Sequence, residues 1–145
     1  MSGTITLTII KPRAIREKLA GPILHKIEES GFTICAMKMF YMSEKTAAQF
    51  YDVHKERPFY NDLVKFMSSG PVIVAQLSKP NAVDEFRKLI GSTNPEDAEE
   101  GTIRKIFGKS LQMNAVHGSD SDENAQRECK FFFKPEDICN LPVSE

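Results

Sequence analysis

The chain of 145 residues is long enough for one domain with its own core, and 41% hydrophobic against 27% charged residues is a soluble globular balance. With 19 basic and 20 acidic residues the net charge is −1, which argues against a broad nucleic-acid or membrane footprint and leaves room for a local basic pocket that takes a small anion. No apolar run approaches a membrane span and the start lacks the basic-then-apolar order of a signal peptide; the odd, widely spaced Cys35, Cys129 and Cys139 suit reduced thiols in a cytoplasmic protein, with neither a disulfide framework nor metal-ligand spacing.

In chain order, Thr4 to Ile10 alternates Thr with Ile and Leu and meets Lys11-Pro12, which predicts a strand ended by proline. Gly21-Pro22 opens a helix with an Ile23, Leu24, Ile27 stripe, closed by Gly31. Phe32 to Met42 reads as a second strand. Ser43 is the expected N-cap of a helix that carries Ala47, Ala48, Tyr51 and Val53 toward Glu56, where Arg57-Pro58 interrupts it. A short helix through Leu63, Val64 and Phe66 ends near Gly70. Val72 to Leu77 is flat and apolar, hence a central strand. Asn81 is the expected cap of a helix with Val83, Phe86, Leu89 and Ile90 inward, closed by Gly91.

Ser92 to Leu111 is the least regular region, and a long ordered loop inside a compact domain is usually functional. Ala115-Val116 is a short fourth strand leading into His117. Ser121 caps a last helix with Ala125, Cys129 and Phe132 inward, and an irregular tail runs from Pro135 to Glu145. The order matches β-α-β-β-α-β: an α+β sandwich with a four-stranded antiparallel sheet and helices on one face.

Chemistry concentrates in Asn114-Ala115-Val116-His117-Gly118-Ser119-Asp120-Ser121. A histidine among small polar residues is uncrowded, and imidazole is neutral and nucleophilic near neutral pH. Taken alone, a single histidine is more often structural. Lys11, at a strand end before a proline, either reaches a cleft or is merely solvated. Arg87 and Arg104 are surface charges or phosphate forks, and Phe59 is core or an aromatic platform. His25 and His54, among Lys and Glu, read as surface residues. There is no Walker A loop and no glycine-rich dinucleotide fingerprint.

Together the motifs resemble the nucleoside diphosphate kinase family from about Thr6 to Phe133. They are Thr6-Leu7-Thr8-Ile9-Ile10-Lys11-Pro12, Gly31-Phe32 leading to Ala36-Met37-Lys38, His54-Lys55-Glu56-Arg57-Pro58-Phe59-Tyr60, Met67-Ser68-Ser69-Gly70-Pro71-Val72, Gly91-Ser92-Thr93-Asn94-Pro95, Gly101-Thr102-Ile103-Arg104, and Asn114 through Ser121. Any one is weak; seven in the family's order are specific.

The resemblance implies the ferredoxin-like fold, one domain over 1–145, and transfer of the terminal phosphate of ATP and other nucleoside triphosphates to nucleoside diphosphates through a phosphohistidine. By matching position His117 is the nucleophile, its other ring nitrogen held by Glu128, with Ser119 bonded to that carboxylate. Lys11, Tyr51, Arg87, Thr93, Arg104 and Asn114 match the nucleotide-binding positions: Lys11 and Asn114 at the ribose hydroxyls, Lys11 also at the terminal phosphate, Tyr51 near the transferred group, Arg87, Thr93 and Arg104 at phosphates. Phe59 stacks on the base with Leu63 and Leu111 nearby, which suits broad base specificity. Mg2+ bridges the phosphates, mostly hydrated, with Asp120 reaching it through water. The family also implies a homo-oligomer, hexamer favoured over tetramer, with neither a membrane nor a specific nucleic acid as partner. Two positions depart from the pattern: Arg13 replaces the usual aspartate, its guanidinium expected in the cleft or in solvent, and Lys105-Ile106 replace Gly-Asp. The competing reading is a nucleotide-binding or interaction module with weak or absent phosphotransfer, in which His117 is a retained fold residue.

Overall fold

A computed structural model of the chain describes residues 3–140. Along it run β1 (Ile5–Ile10), α1 (Pro12–Arg16), α2 (Ala20–Glu29), β2 (Thr33–Tyr41), α3 (Glu44–Phe50), a 3-10 turn (Asp52–His54), α4 (Tyr60–Met67), β3 (Pro71–Ser78), α5 (Ala82–Ile90), a 3-10 turn (Pro95–Asp97), α6 (Ile103–Phe107), β4 (Val116–Gly118), α7 (Asp122–Phe132) and a 3-10 turn (Pro135–Asp137). The strands form one antiparallel sheet ordered β2-β3-β1-β4. β3 is interior, as its apolar run requires, and so is β1, whose Thr6 and Thr8 are buried with its aliphatic residues.

Side-chain alternation divides the core in two. Leu7, Ile9, Val72 and Val74 point one way, to Ala47 and Phe50 of α3, Val64 and Met67 of α4, and Cys129 and Phe132 of α7. Ile10, Ile73, Ala75 and Leu77 point the other way, to Ala14 of α1, Ile23 and Ile27 of α2, Phe86 and Ile90 of α5, and Ile103 of α6. Both faces of the sheet are therefore covered, a correction to the expected single face. The two interior strands are buried on both sides, which one helical layer cannot achieve.

Other boundaries differ for local reasons. Pro12 ends β1 by opening α1, a single turn too short to show periodicity. Pro22 is the third residue of α2, where its missing N–H is still one of the helix's orphans. α3 stops at Phe50 rather than near Glu56, and the chain continues in a 3-10 turn. Asn81 is left-handed, at φ 57°, and makes no side-chain cap; Gly3 instead accepts from the Ala82 N–H at 3.2 Å. The irregular region contains α6, capped by the Thr102 side chain. His117 lies within β4 rather than after it. Of the tail expected to be irregular, Pro135–Asp137 is a 3-10 turn, and residues 141–145 lie outside the described residues.

Candidate active site

β4 is three residues long and pairs with β1, with Ile9 opposite His117. Thr8 ties it down by donating its hydroxyl to the His117 carbonyl at 2.8 Å. The His117 ring is held edge-on against Phe50, with centroids 5.4 Å apart, and Tyr51, at 6.3 Å. Its Nε2 meets Glu128 Oε1 at 2.8 Å. The same carboxylate oxygen accepts from Ser119 Oγ at 2.7 Å, and Ser119 Oγ accepts from the Leu7 N–H at 3.1 Å. Glu128 and Ser119 are buried. An ionised carboxylate only accepts, so Nε2 carries the proton and Nδ1 keeps its lone pair.

His117 opens on a cleft of about 500 Å³, also lined by Lys11, Tyr51, Phe59, Leu63, Thr93, Arg104, Leu111, Asn114, Asp120 and Glu128. An adjoining cleft of about 610 Å³ shares Thr93, Arg104, Gly118 and Asp120 and adds Arg87. The sequence-predicted residues thus gather in one continuous region. Ser119 stands behind the wall, and Arg87 lines only the second cleft.

Two cations are held in place by the chain around them. Lys11 is buried and donates from Nζ to Asn114 Oδ1 at 2.8 Å, while Asn114 Nδ2 donates to the Thr93 carbonyl at 3.0 Å. The Lys11 N–H donates to the Ala115 carbonyl at 2.9 Å, and Ala115 has φ 81°, a strained setting for a residue with a Cβ. Burial first, and Arg104 second, push the Lys11 ammonium down to about 7. Arg104 donates to the carbonyls of Gly91 at 3.0 Å and Val116 at 2.9 Å. Burial, then the charge of Arg87, lowers its guanidinium to about 10. The Tyr51 hydroxyl is buried with no partner, and its pKa is raised above the ordinary range by burial first and then by Glu128. Asp120 is held below the usual carboxylate range chiefly by the Asn124 amide, with burial opposing and Arg87 assisting.

The opposite lip is apolar: Phe59 and Leu111 are exposed beside the half-buried Leu63. His54 corrects the surface reading, since it lines the cleft with its ring centroid 5.9 Å from that of Phe59. His25 is exposed and pairs only with Glu29. Sequence reasoning missed Asn124 and Arg127. Their spacing to Glu128, four residues and one on α7, puts all three on the cleft side, and that periodicity was the available signal.

Arg13 points neither into the cleft nor to solvent. It is buried, donating to Glu17 Oε1 at 3.1 Å, to the Met113 carbonyl at 3.2 Å and to the Phe107 carbonyl. It ties α1 to the end of α6 and to the segment before Asn114. The long guanidinium reaches carbonyls that its backbone position does not.

The arrangement combines an imidazole with a fixed tautomer, convergent cations and unpartnered donors, and an apolar lip. That set suits an anionic group joined to a flat apolar one. Residues 4–138 match the family model for nucleoside diphosphate kinase. A curated relative of that name from Chlorobium limicola is 53% identical over 94% of this chain and 97% of its own length. Another from Campylobacter jejuni is 54% identical over 92% and 98%. Among solved structures, the Aquifex aeolicus nucleoside diphosphate kinase superposes with TM-score 0.92 at 43% identity, covering 93% of this chain and 98% of that one. The Halobacterium salinarum enzyme in complex with CDP superposes with TM-score 0.91 at 31% identity, covering 96% and 93%.

Proposed function

The chain belongs to the nucleoside diphosphate kinase family, and from that membership we propose how its own residues carry the family's reaction. It transfers the terminal phosphate of a nucleoside triphosphate to a nucleoside diphosphate, in two half-reactions through a phosphohistidine, and so maintains nucleoside triphosphate pools. In our reading the residue phosphorylated is His117, at Nδ1. The single observation that carries this is the 2.8 Å bond from Nε2 to buried Glu128, which leaves Nδ1 as the nitrogen with a free lone pair on a ring that lines the cleft. The Nδ1 lone pair forms the bond to phosphorus while the bond to the bridging oxygen breaks and the diphosphate leaves. Positive charge develops on the ring, and Glu128, held by Ser119, stabilises it without taking the proton. In the second half an acceptor diphosphate oxygen attacks the same phosphorus and frees Nδ1.

Lys11, Arg104 and Arg87 neutralise the charge spread over the phosphoryl oxygens, and Thr93 adds a donor. The orphaned Tyr51 hydroxyl supports a contact to the transferred group. Asn114 takes the ribose hydroxyls together with Lys11 in this reading, which their mutual bond supports. Phe59 stacks on the base between Leu63 and Leu111; every base has a π-face, so stacking tolerates them all. That the Halobacterium salinarum relative was crystallised in complex with CDP supports nucleotide binding by this chain.

Among the described residues no group of three or more His, Cys, Asp and Glu is placed to hold a metal ion. In our reading Mg2+ arrives hydrated on the phosphates, and Asp120, a carboxylate that lines both clefts, would hold it through water. When bound, the ion would supply positive charge against the phosphate oxygens. We take residues 1–145 as one domain acting in the cytoplasm as a homo-oligomer, a hexamer before a tetramer. The exposed Met37, Met39 and Tyr41 on edge strand β2 support self-association. Among the described residues no helix is long and apolar enough to cross a membrane.

Incubation with ATP labelled in the terminal phosphate, with Mg2+ and no acceptor, tests the assignment. The expected product is a stoichiometric label, lost in acid and stable in base, that chases onto added diphosphate. His117→Ala labels only to background. Full labelling of that variant, or an acid-stable label, overturns the role given to His117.

A further inference from the structure

Cys35 and Cys139 are distant in sequence, and the fold brings their backbones together outside the lining of both clefts. Cys35 is the extra residue of a bulge in β2: the ladder to β3 steps from Ile34 opposite Leu77 to Ala36 opposite Gln76 and skips it. β2 is an edge strand, so the Cys35 carbonyl is left to find another partner. It accepts the N–H of Cys139 at 2.7 Å. The segment bearing Cys139 is anchored by buried Phe133 and by Ile138 packed against the same core cluster, with the turn Pro135–Asp137 between them.

That backbone bond bounds the geometry. From standard covalent lengths the two Cα atoms are at most about 6.6 Å apart, inside the roughly 4.4–6.8 Å range of disulfides. Burial first, and then the Cys139 sulfur, hold the Cys35 thiol above its ordinary range. Cys129 is different: it is buried, and burial, then Glu128, then Cys35, push its thiol to about 12. It stays an inert thiol, while Cys139 is exposed.

We propose that Cys35 and Cys139 are a peroxide-sensitive thiol pair that closes a reversible disulfide between β2 and the C-terminal segment. The Cys139 thiolate attacks one oxygen of the peroxide, the O–O bond breaks, and Cys139 becomes a sulfenic acid as one water leaves. The Cys35 sulfur then attacks the sulfenic sulfur, the S–S bond forms, and the hydroxyl leaves with the thiol proton as a second water. Two thiols are oxidised by two electrons and one hydrogen peroxide is reduced to two waters. A thiol reductant reverses the step. The pair lies outside the nucleotide site, so the inference does not depend on the roles assigned there.

The test uses the full chain, reduced, then treated with hydrogen peroxide. Trypsin places the cysteines on three separate peptides: Ile27–Lys38, Glu128–Lys130 and Phe131–Glu145, the bond before Pro135 resisting cleavage. Expected is a linked pair of Ile27–Lys38 with Phe131–Glu145, two hydrogens lighter than their sum, with Cys129 still alkylated and a thermal midpoint raised by roughly 5 °C until dithiothreitol is added. Cys35→Ser halts at a Cys139 sulfenic acid trapped by dimedone, and Cys129→Ser still forms the pair. Three reactive thiols remaining after peroxide, a link from Cys35 to Cys129, a link only between chains, or an unchanged midpoint in the linked protein would each overturn it.

Discussion

Arg13 shows how a side chain two residues from a lysine that lines the cleft can serve the scaffold. Its guanidinium joins three acceptors that belong to α1, α6 and the strand approach to Asn114, and Asn114 positions Lys11. Arg13→Asp restores the family's usual residue but here strips the Phe107 carbonyl of its donor, leaves the Met113 carbonyl only its bonds from the Lys109 and Ser110 N–H groups, and sets a carboxylate near Glu17. One stranded, part-buried acceptor costs about 1–3 kcal/mol, so the variant is expected to lose at least about 1 kcal/mol, or roughly 2–4 °C in thermal midpoint. KM should rise before kcat falls, because the segment carrying Asn114 is loosened while His117 is not. An unchanged midpoint in thermal denaturation would show that the guanidinium holds nothing. That Lys11, Asn114 and His117 would meet in one cleft was legible in the sequence; the direction of Arg13 was not, because direction depends on acceptors nearly 100 residues away.

At the scale of elements, β4 is the smallest and the most constrained. It carries His117, and its Gly118 sits where a Cβ would lie 2.8 Å from Ile90 Cδ1 and 3.0 Å from Phe86 Cδ2. Helix α5 presses on the strand at that point, and only a missing side chain permits it. Gly118→Ala should push β4 off α5 at a cost of about 1–3 kcal/mol, the usual penalty of overpacking. The phosphoenzyme should then form more slowly in proportion to the displacement of His117, while Phe59-dependent base binding is unaffected. Denaturant midpoints and single-turnover labelling would check both; wild-type stability with wild-type labelling would refute the contact. The long elements were readable because their apolar stripes repeat over several turns. α1 and α6 were not, since five residues hold little more than one period.

For the whole molecule, the buried Lys11 makes stability depend on pH. Its folded value of about 7 lies below the ordinary 10.5, so between those values the unfolded chain binds a proton that the folded chain does not. Stability without ligand therefore rises with pH across that window and carries the full penalty of the buried charge below about 7. Cys129 and Tyr51 act in the opposite sense at the alkaline end. Their folded values are raised, so the unfolded chain ionises first, above 9.0 for the thiol and 10.0 for the phenol, and stability falls there. Lys11→Met removes only the first effect. The stability of wild type relative to Lys11→Met should climb by about 1 kcal/mol per pH unit between 7 and 9, read from urea midpoints at constant ionic strength. Parallel profiles would mean that Lys11 is not desolvated.

The sequence by itself determined the order of strands and long helices, the central place of β3, the family resemblance, and the residue types that meet at His117. These follow from local quantities: side-chain periodicity, capping chemistry and motif order. Tertiary structure alone decided that helices cover both faces of the sheet, that His117 belongs to a strand pinned by Thr8, that Arg13 turns inward, and that Cys35 and Cys139 touch across a bulge. Each of these depends on which polar groups the packed core leaves without a partner, and that set does not exist until strands far apart in the chain have paired.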